Sequence, residues 1–167
     1  MIDKDTPLKD IAKLGKPCKK CGHCCQYGSG ALIEEDVKNI ARYLNITEKE
    51  LKEKYLETLE KFNTKRFRPK LIRKDKPFGK CVFYDNGCKI HEVKPLQCKI
   101  NNCGKEGEEL SIWFTLNYFI NKNDPESIRQ FNDYLRSGGK TLAKGELKDY
   151  IKDEKKLKDI LSFKILK

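Results

Sequence analysis

Cys18-Lys19-Lys20-Cys21-Gly22-His23-Cys24-Cys25 is the stretch on which the reading of this chain turns. Cys18, Cys21 and Cys24 follow the spacing C-x2-C-x2-C, so three sulfurs fall within seven residues. A two-residue gap turns both sulfurs the same way around one ion, and Gly22 tolerates the positive φ that such a knuckle needs. Outward from this loop, Cys81, Cys88, Cys98 and Cys103 form a second group, making eight cysteines in 167 residues. Two dense groups need a reason to meet. A soft-metal centre supplies one, because thiolates select zinc and iron–sulfur clusters. The expected metal ligands are therefore Cys18, Cys21, Cys24, Cys25, Cys81, Cys88, Cys98 and Cys103. Holding residues 25 and 81 together would be worth about 4 kcal/mol by the loop-entropy formula for cross-links.

Three ligands so close together suit a cubane [4Fe–4S] cluster. The ferredoxin continuation C-x3-C-P is absent, and so is the radical-SAM spacing C-x3-C-x2-C. Zinc is the alternative cofactor, since eight thiols can hold two zinc ions, two clusters, or one cluster with thiols to spare. Cys24 and Cys25 are adjacent, and neighbouring side chains diverge in helix and strand alike. One of them is expected to join Cys18 and Cys21 while the other reaches a second site or a different iron. His23 and His91 compete poorly with thiolates for a soft metal and are expected to hydrogen-bond a sulfur or face solvent. Clustered cysteines also argue for ligation over a lone activated Cys–His nucleophile.

Hydrophobic residues make up 38 % of the chain and charged residues 37 %, which is less core material than an ordinary domain carries. Metal ligation can offset that deficit, a structural zinc contributing roughly 10–16 kcal/mol of apparent folding energy. The first fifteen residues lack the apolar stretch of a secretory leader, and no apolar run approaches the ~20 residues of a membrane span. A cytoplasmic protein with no membrane partner is expected, in a compartment where thiols stay reduced. The wealth of Lys, Glu and Ile is thermophile-like. Intracellular disulfides occur in such organisms, so a disulfide framework is the competing reading.

The formal net charge of +11 would attract phosphates, nucleic acid or anionic surfaces, although a thiolate-bound metal would lower it. Lys65-Arg66-Phe67-Arg68-Pro69-Lys70-Leu71-Ile72-Arg73-Lys74 interleaves basic and aromatic residues in a way that suits nucleic acid, and a solvated strand face explains it equally well. Ser137-Gly138-Gly139-Lys140-Thr141 looks like the end of a phosphate loop. The first glycine of that motif would fall at Tyr134, so a helix cap is expected instead.

The fold class expected is mostly α with a small irregular β-hairpin. A single Cys-rich metal-binding domain spans 16–103, and 104–167 form a C-terminal helical segment packed on it. Residues 1–17 read as an irregular lead-in ending at Pro17. A helix from Glu34 to Leu44 buries Val37, Ile40, Ala41 and Leu44. Thr47 and Glu50 form a capping box for a second helix with the stripe Leu51, Tyr55, Leu59 and Phe62. Asn86-Gly87 is a hairpin turn that presents Cys81 and Cys88 on neighbouring strands or at the hairpin ends. Pro95 begins a short helical turn carrying Cys98. Leu110 to Ile120 is helical and apolar nearly all round. Asp124-Pro125 caps another helix that ends near Ser137, and a final helix runs from Leu147 to Leu161.

These residues resemble the family of zinc- or iron-chelating domains with the CxxCxxCC signature, over roughly residues 16–103. The first block is Cys18, Cys21, Cys24 and Cys25. The second is Cys81-Val82-Phe83, then Gly87-Cys88-Lys89-Ile90-His91, then Lys94-Pro95-Leu96-Gln97-Cys98-Lys99. The helical spacer from Glu34 to Tyr55 also looks like the family's helical pair. His91 stands where the family usually has Tyr, and Lys94 and Lys99 stand where it has Arg, which removes any bidentate guanidinium there. The resemblance implies an iron–sulfur or zinc protein. Flagellin lysine-N-methylases resemble the family in part, but no methyl-donor site is legible here.

Three functions follow as expectations. One is a metal protein carrying an iron–sulfur cluster in a redox or accessory role, with a redox or protein partner still to be identified. The second is a structural zinc protein whose basic face engages nucleic acid. The third is a methylase-type enzyme with a structural cluster.

Overall fold

The computed structural model describes residues 1–15, 18–101 and 103–167. Pro17, the expected end of the lead-in, lies outside the described residues. Helices dominate and the strands form two small antiparallel pairs, so the protein is mostly α with a small hairpin. The chain divides into two compact units. One comprises Met1–Leu14, Glu60–Lys65 and Gly104–Lys167, and the other comprises Gly15–Leu59 and Arg66–Cys103. All eight cysteines belong to the second.

In the cysteine-bearing unit a short helix α2 (His23–Tyr27) carries Cys24 and Cys25. Helix α3 (Glu34–Tyr43) buries Val37, Ile40 and Ala41 of the expected stripe, and the fourth member, Leu44, is its half-buried C-cap. Helix α4 (Glu48–Tyr55) begins with the expected box: Thr47 Oγ1 accepts the Glu50 N–H at 3.1 Å, and Glu50 Oε2 accepts the Thr47 N–H at 3.1 Å. These helices bury Leu32, Val37, Ile40 and Leu51 against Phe83 and Ile90, and Tyr55 stacks on Phe83 at 5.4 Å. Complete burial of such side chains contributes about 1.5–3 kcal/mol each.

Helix α4 stops at Tyr55 and does not carry Leu59 and Phe62 as its periodicity suggests. Strand β1 (Leu56–Lys61) pairs instead with β2 (Thr64–Pro69). Phe62 and Asn63 turn the chain at φ 48° and 56°, the left-handed pair that a two-residue hairpin prefers. Asn tolerates this region and Phe does not. Phe62 is held there by edge-on contact with Phe131 at 5.6 Å and Tyr134 at 5.4 Å, and Asn63 Nδ2 donates to Asp124 Oδ2 at 2.7 Å. Tertiary packing has overridden the helical pattern.

Strand β3 (Leu71–Ile72) pairs with β4 (Lys80–Cys81), Leu71 opposite Cys81 and Ile72 opposite Lys80. The turn at Asn86 closes a single antiparallel bridge between Tyr84 and Cys88. Cys81 therefore pairs with Leu71, and Cys88 sits at the end of the Asn86-Gly87 turn. A 3-10 turn, His91–Val93, leads to α5 (Leu96–Ile100), which carries Cys98 directly after Pro95.

In the other unit the expected lead-in is a helix, α1 (Leu8–Leu14), with Ile11 fully buried. Its approach is anchored where Trp113 Nε1 donates to the Thr6 carbonyl at 3.0 Å, a contact too remote in sequence to be read from residues 1–17 alone. Helices α6 (Gly107–Tyr118) and α7 (Pro125–Arg136) bury Leu110, Phe114, Ile128 and Phe131. Asp124 caps α7 by accepting the Glu126 N–H at 3.0 Å, and Gly138 at φ 89° follows its end. The expected final helix is two pieces, α8 (Leu147–Tyr150) and α9 (Glu154–Leu161). Asp153 accepts the Lys156 N–H at 3.0 Å and starts α9 afresh, a cap that competes with continuation. No helix among the described residues is long and apolar enough to cross a membrane.

Candidate metal centre

Gly22 makes the first cysteine loop possible. It sits at φ 74° just before α2, and a Cβ there would overlap the Tyr84 hydroxyl. The Tyr84 ring lies against the loop because the Asn86 turn and the Tyr84–Cys88 bridge hold it there. The loop's second anchor is the segment after α2. Ser29 Oγ donates to the Pro69 carbonyl at 2.6 Å, the Ala31 N–H donates to Gln97 Oε1 at 2.6 Å, and the Leu32 N–H donates to the Phe67 carbonyl at 2.8 Å. Gly30 approaches Cys98 so closely that a Cβ on it would overlap the thiol, and its backbone draws the Cys98 pKa down against the effect of burial.

Asp36 fixes the other side of Cys98. Its Oδ2 accepts the Ile33 N–H at 2.9 Å and the Leu96 N–H at 2.8 Å, so one carboxylate ends the approach to α3 and begins α5. Asp36 is buried, and burial raises its pKa against the opposing pull of those two N–H groups. Sequence reasoning missed this residue. Its signal was an acid at the third position of a helix with no Ser or Thr before it.

All eight cysteines are free, so the disulfide framework is not what joins the two groups. They meet nonetheless. Cys25 lies close enough to Cys24, Cys88 and Cys81 for charge on any of them to raise its pKa. Cys81 feels Cys88 and Cys24, Cys88 feels Cys18 and Cys24, and Cys98 feels Cys81, Cys25 and Cys24. Helix α2, which carries Cys24 and Cys25, packs against β4, which ends at Cys81. Cys21 and Cys103 are exposed. Charge on Cys24 bears on the neighbouring Cys25 thiol, and the expected division of the two between sites stays an expectation.

Burial pushes the Cys25 and Cys98 thiols up to about 12 and Cys81 up to about 11, and it raises Cys88 as well. Neighbouring cysteines add to this, while the Lys94 ammonium draws Cys88 back down. Crowded, partly desolvated thiols are costly to ionise together, and a cation among them reverses that cost. The donor chemistry therefore fits a thiophilic metal. Among the described residues, no group of three or more His, Cys, Asp or Glu side chains has the spacing of a closed metal shell.

His23 is exposed and its ring meets Tyr27 at 5.3 Å. His91 is half-buried, with its Nε2 buried and without a hydrogen-bond partner among the described residues. Burial, Lys94 and Lys20 hold its imidazole below the usual pKa. Lys20 lies inside the first cysteine loop, so His91 and Lys94 border the sulfurs on that side.

Two blocks of free cysteines thus share one unit, with the helices α3 and α4 between them in sequence. A family model, CxxCxxCC, described as "putative zinc- or iron-chelating domain", matches residues 17–129, and the chain belongs to that family. The match runs past Cys103 through α6 into α7. No curated protein and no solved structure gives a significant match.

Proposed function

We propose that this is a cytoplasmic protein carrying an iron–sulfur cluster, of the [4Fe–4S] type, in a redox or accessory role toward a protein partner. Cys18, Cys21, Cys24, Cys25, Cys81, Cys88 and Cys98 supply the sulfurs, with Cys103 as the eighth. The observation that supports this reading is that the free thiols of residues 18–25 and 81–98 share one unit in which α2 packs against β4. Three of them follow the cubane-like spacing C-x2-C-x2-C. Lys20 and Lys94 border the thiols, which suits the negative charge of a thiolate-ligated cluster. When bound, a cluster supplies one-electron chemistry. The chain would supply the sulfurs, the close approach of Gly30 to Cys98, and the basic border.

Oxygen-free purification followed by metal and sulfide analysis tests the proposal. Stoichiometric iron and acid-labile sulfide with a broad visible absorbance support it. A colourless protein holding zinc overturns the cluster and leaves a structural zinc domain.

A further inference from the structure

One surface beside the cysteines is unlike the rest of the unit. His23, Tyr27 and Phe78 form a continuous row of rings, with centroids 5.3 and 5.6 Å apart. All three are exposed, Tyr27 at 54 % and Phe78 at 42 %, and of these Phe is the residue type ordinarily buried. The β3–β4 pair continues the surface. Leu71 and Cys81 face inward, so their neighbours Ile72 and Lys80 share the outer face, and both are exposed.

The charge of the segment that carries Phe78 is one-sided. Residues 66–80 contain seven Lys or Arg and one acid, Asp75. Two of the seven are committed inward: Arg68 and Arg73 are ion-paired with Glu57. Lys70 donates to the Glu53 carbonyl. Lys74, Lys76 and Lys80 are exposed and make no ion pair among the described residues, and Lys76 Nζ stands 5.6 Å from the centre of the Phe78 ring.

We propose that this row, with Lys74, Lys76 and Lys80, is a binding surface for single-stranded nucleic acid. Rings exposed to water and flanked by unpaired ammonium groups match a ligand that alternates flat apolar bases with phosphates. Tyr27 and Phe78 provide faces for stacking, and the three lysines take the backbone charge. A duplex hides its base faces and does not fit the exposed rings. An acidic polypeptide would satisfy the lysines and leave the rings uncovered. The proposal is independent of which metal the thiols hold.

The test uses the full-length, metal-loaded protein and a short fluorescent oligouridine at about 50 mM salt, with heparin and polyglutamate as base-free polyanions. Phe78→Ala is expected to weaken oligouridine binding about tenfold and to leave heparin binding unchanged, while Phe78→Trp retains the affinity. Replacing Lys74, Lys76 and Lys80 together with Gln should weaken both ligands and flatten the log–log salt slope by about 2, at ~0.7 per phosphate contact on a single strand. Metal content of each variant separates loss of this surface from loss of the metal centre. No oligouridine binding at low salt, equal affinity in a metal-replete Phe78→Ala protein, or tighter binding of polyglutamate than of oligouridine would each overturn the proposal.

Discussion

At Gly30 the chain passes so near Cys98 that a Cβ would stand 2.5 Å from its Sγ and 3.1 Å from its backbone nitrogen. Neither neighbour is free to retreat, because Asp36 and Gln97 pin the start of α5 to the segments around it. Overpacking of this kind costs about 1–3 kcal/mol. Gly30→Ala is accordingly expected to lower the melting temperature and to reduce bound metal, both measured on protein prepared without oxygen. Full metal loading with an unchanged melt would show that the contact is slack. Gly22 is constrained by a different cause, its left-handed φ as well as the Tyr84 ring above it. Of these two glycines, only Gly22 is suggested by the cysteine spacing. The need for Gly30 appears when α5 is in place.

Among the elements, the β1–β2 hairpin and β3 are tied together by one carboxylate. Glu57 is ion-paired with Arg68 and Arg73 and also accepts the Leu71 N–H. Arg73 above all, then the Leu71 N–H and Arg68, hold the Glu57 pKa down to about 2 against the opposing effect of burial. A carboxyl depressed on folding stabilises the protein above its unfolded pKa, about 4.5, and that contribution is lost as pH falls toward 2. Glu57→Gln leaves two guanidinium groups without their partner and is expected to cost about 2 kcal/mol at neutral pH. It should also flatten the loss of stability between about pH 4.5 and 2. Urea unfolding over that range measures both, and an unchanged acid limb would contradict the assignment. Helices with a local cap, α4 and α7, are legible from sequence because the cap and the apolar stripe are written side by side. The β1–β2 hairpin is not legible, because its turn is Phe62-Asn63, without glycine, and the contacts that hold Phe62 come from α7. The break between α8 and α9 escapes notice for a related reason: the apolar positions continue across it, and only Asp153 marks the new start.

For the molecule as a whole, the cysteines and their core of Leu32, Val37, Ile40 and Phe83 fall in one unit, while α6 to α9 fall in the other. Metal ligation that contributes folding energy should act first on the unit that contains the sulfurs. Chelation is expected to increase hydrogen exchange in α3 and around Phe83 and Ile90, with little change in α6 and α7. Equal loosening of both units would argue that the metal stabilises the chain in some less local way. That the two cysteine groups meet follows from their crowding in the sequence. Which thiol neighbours which does not, since that depends on how the five-residue helix α2 packs against β4.

The sulfurs are graded in depth, Cys81 buried at one end and Cys21 and Cys24 open to solvent at the other. An incoming ion would be caught first at the wet margin and drawn inward afterwards, and it would leave by the same doorway. Oxidants reach exposed thiols before buried ones, so Cys21 and Cys24 would be damaged before Cys81.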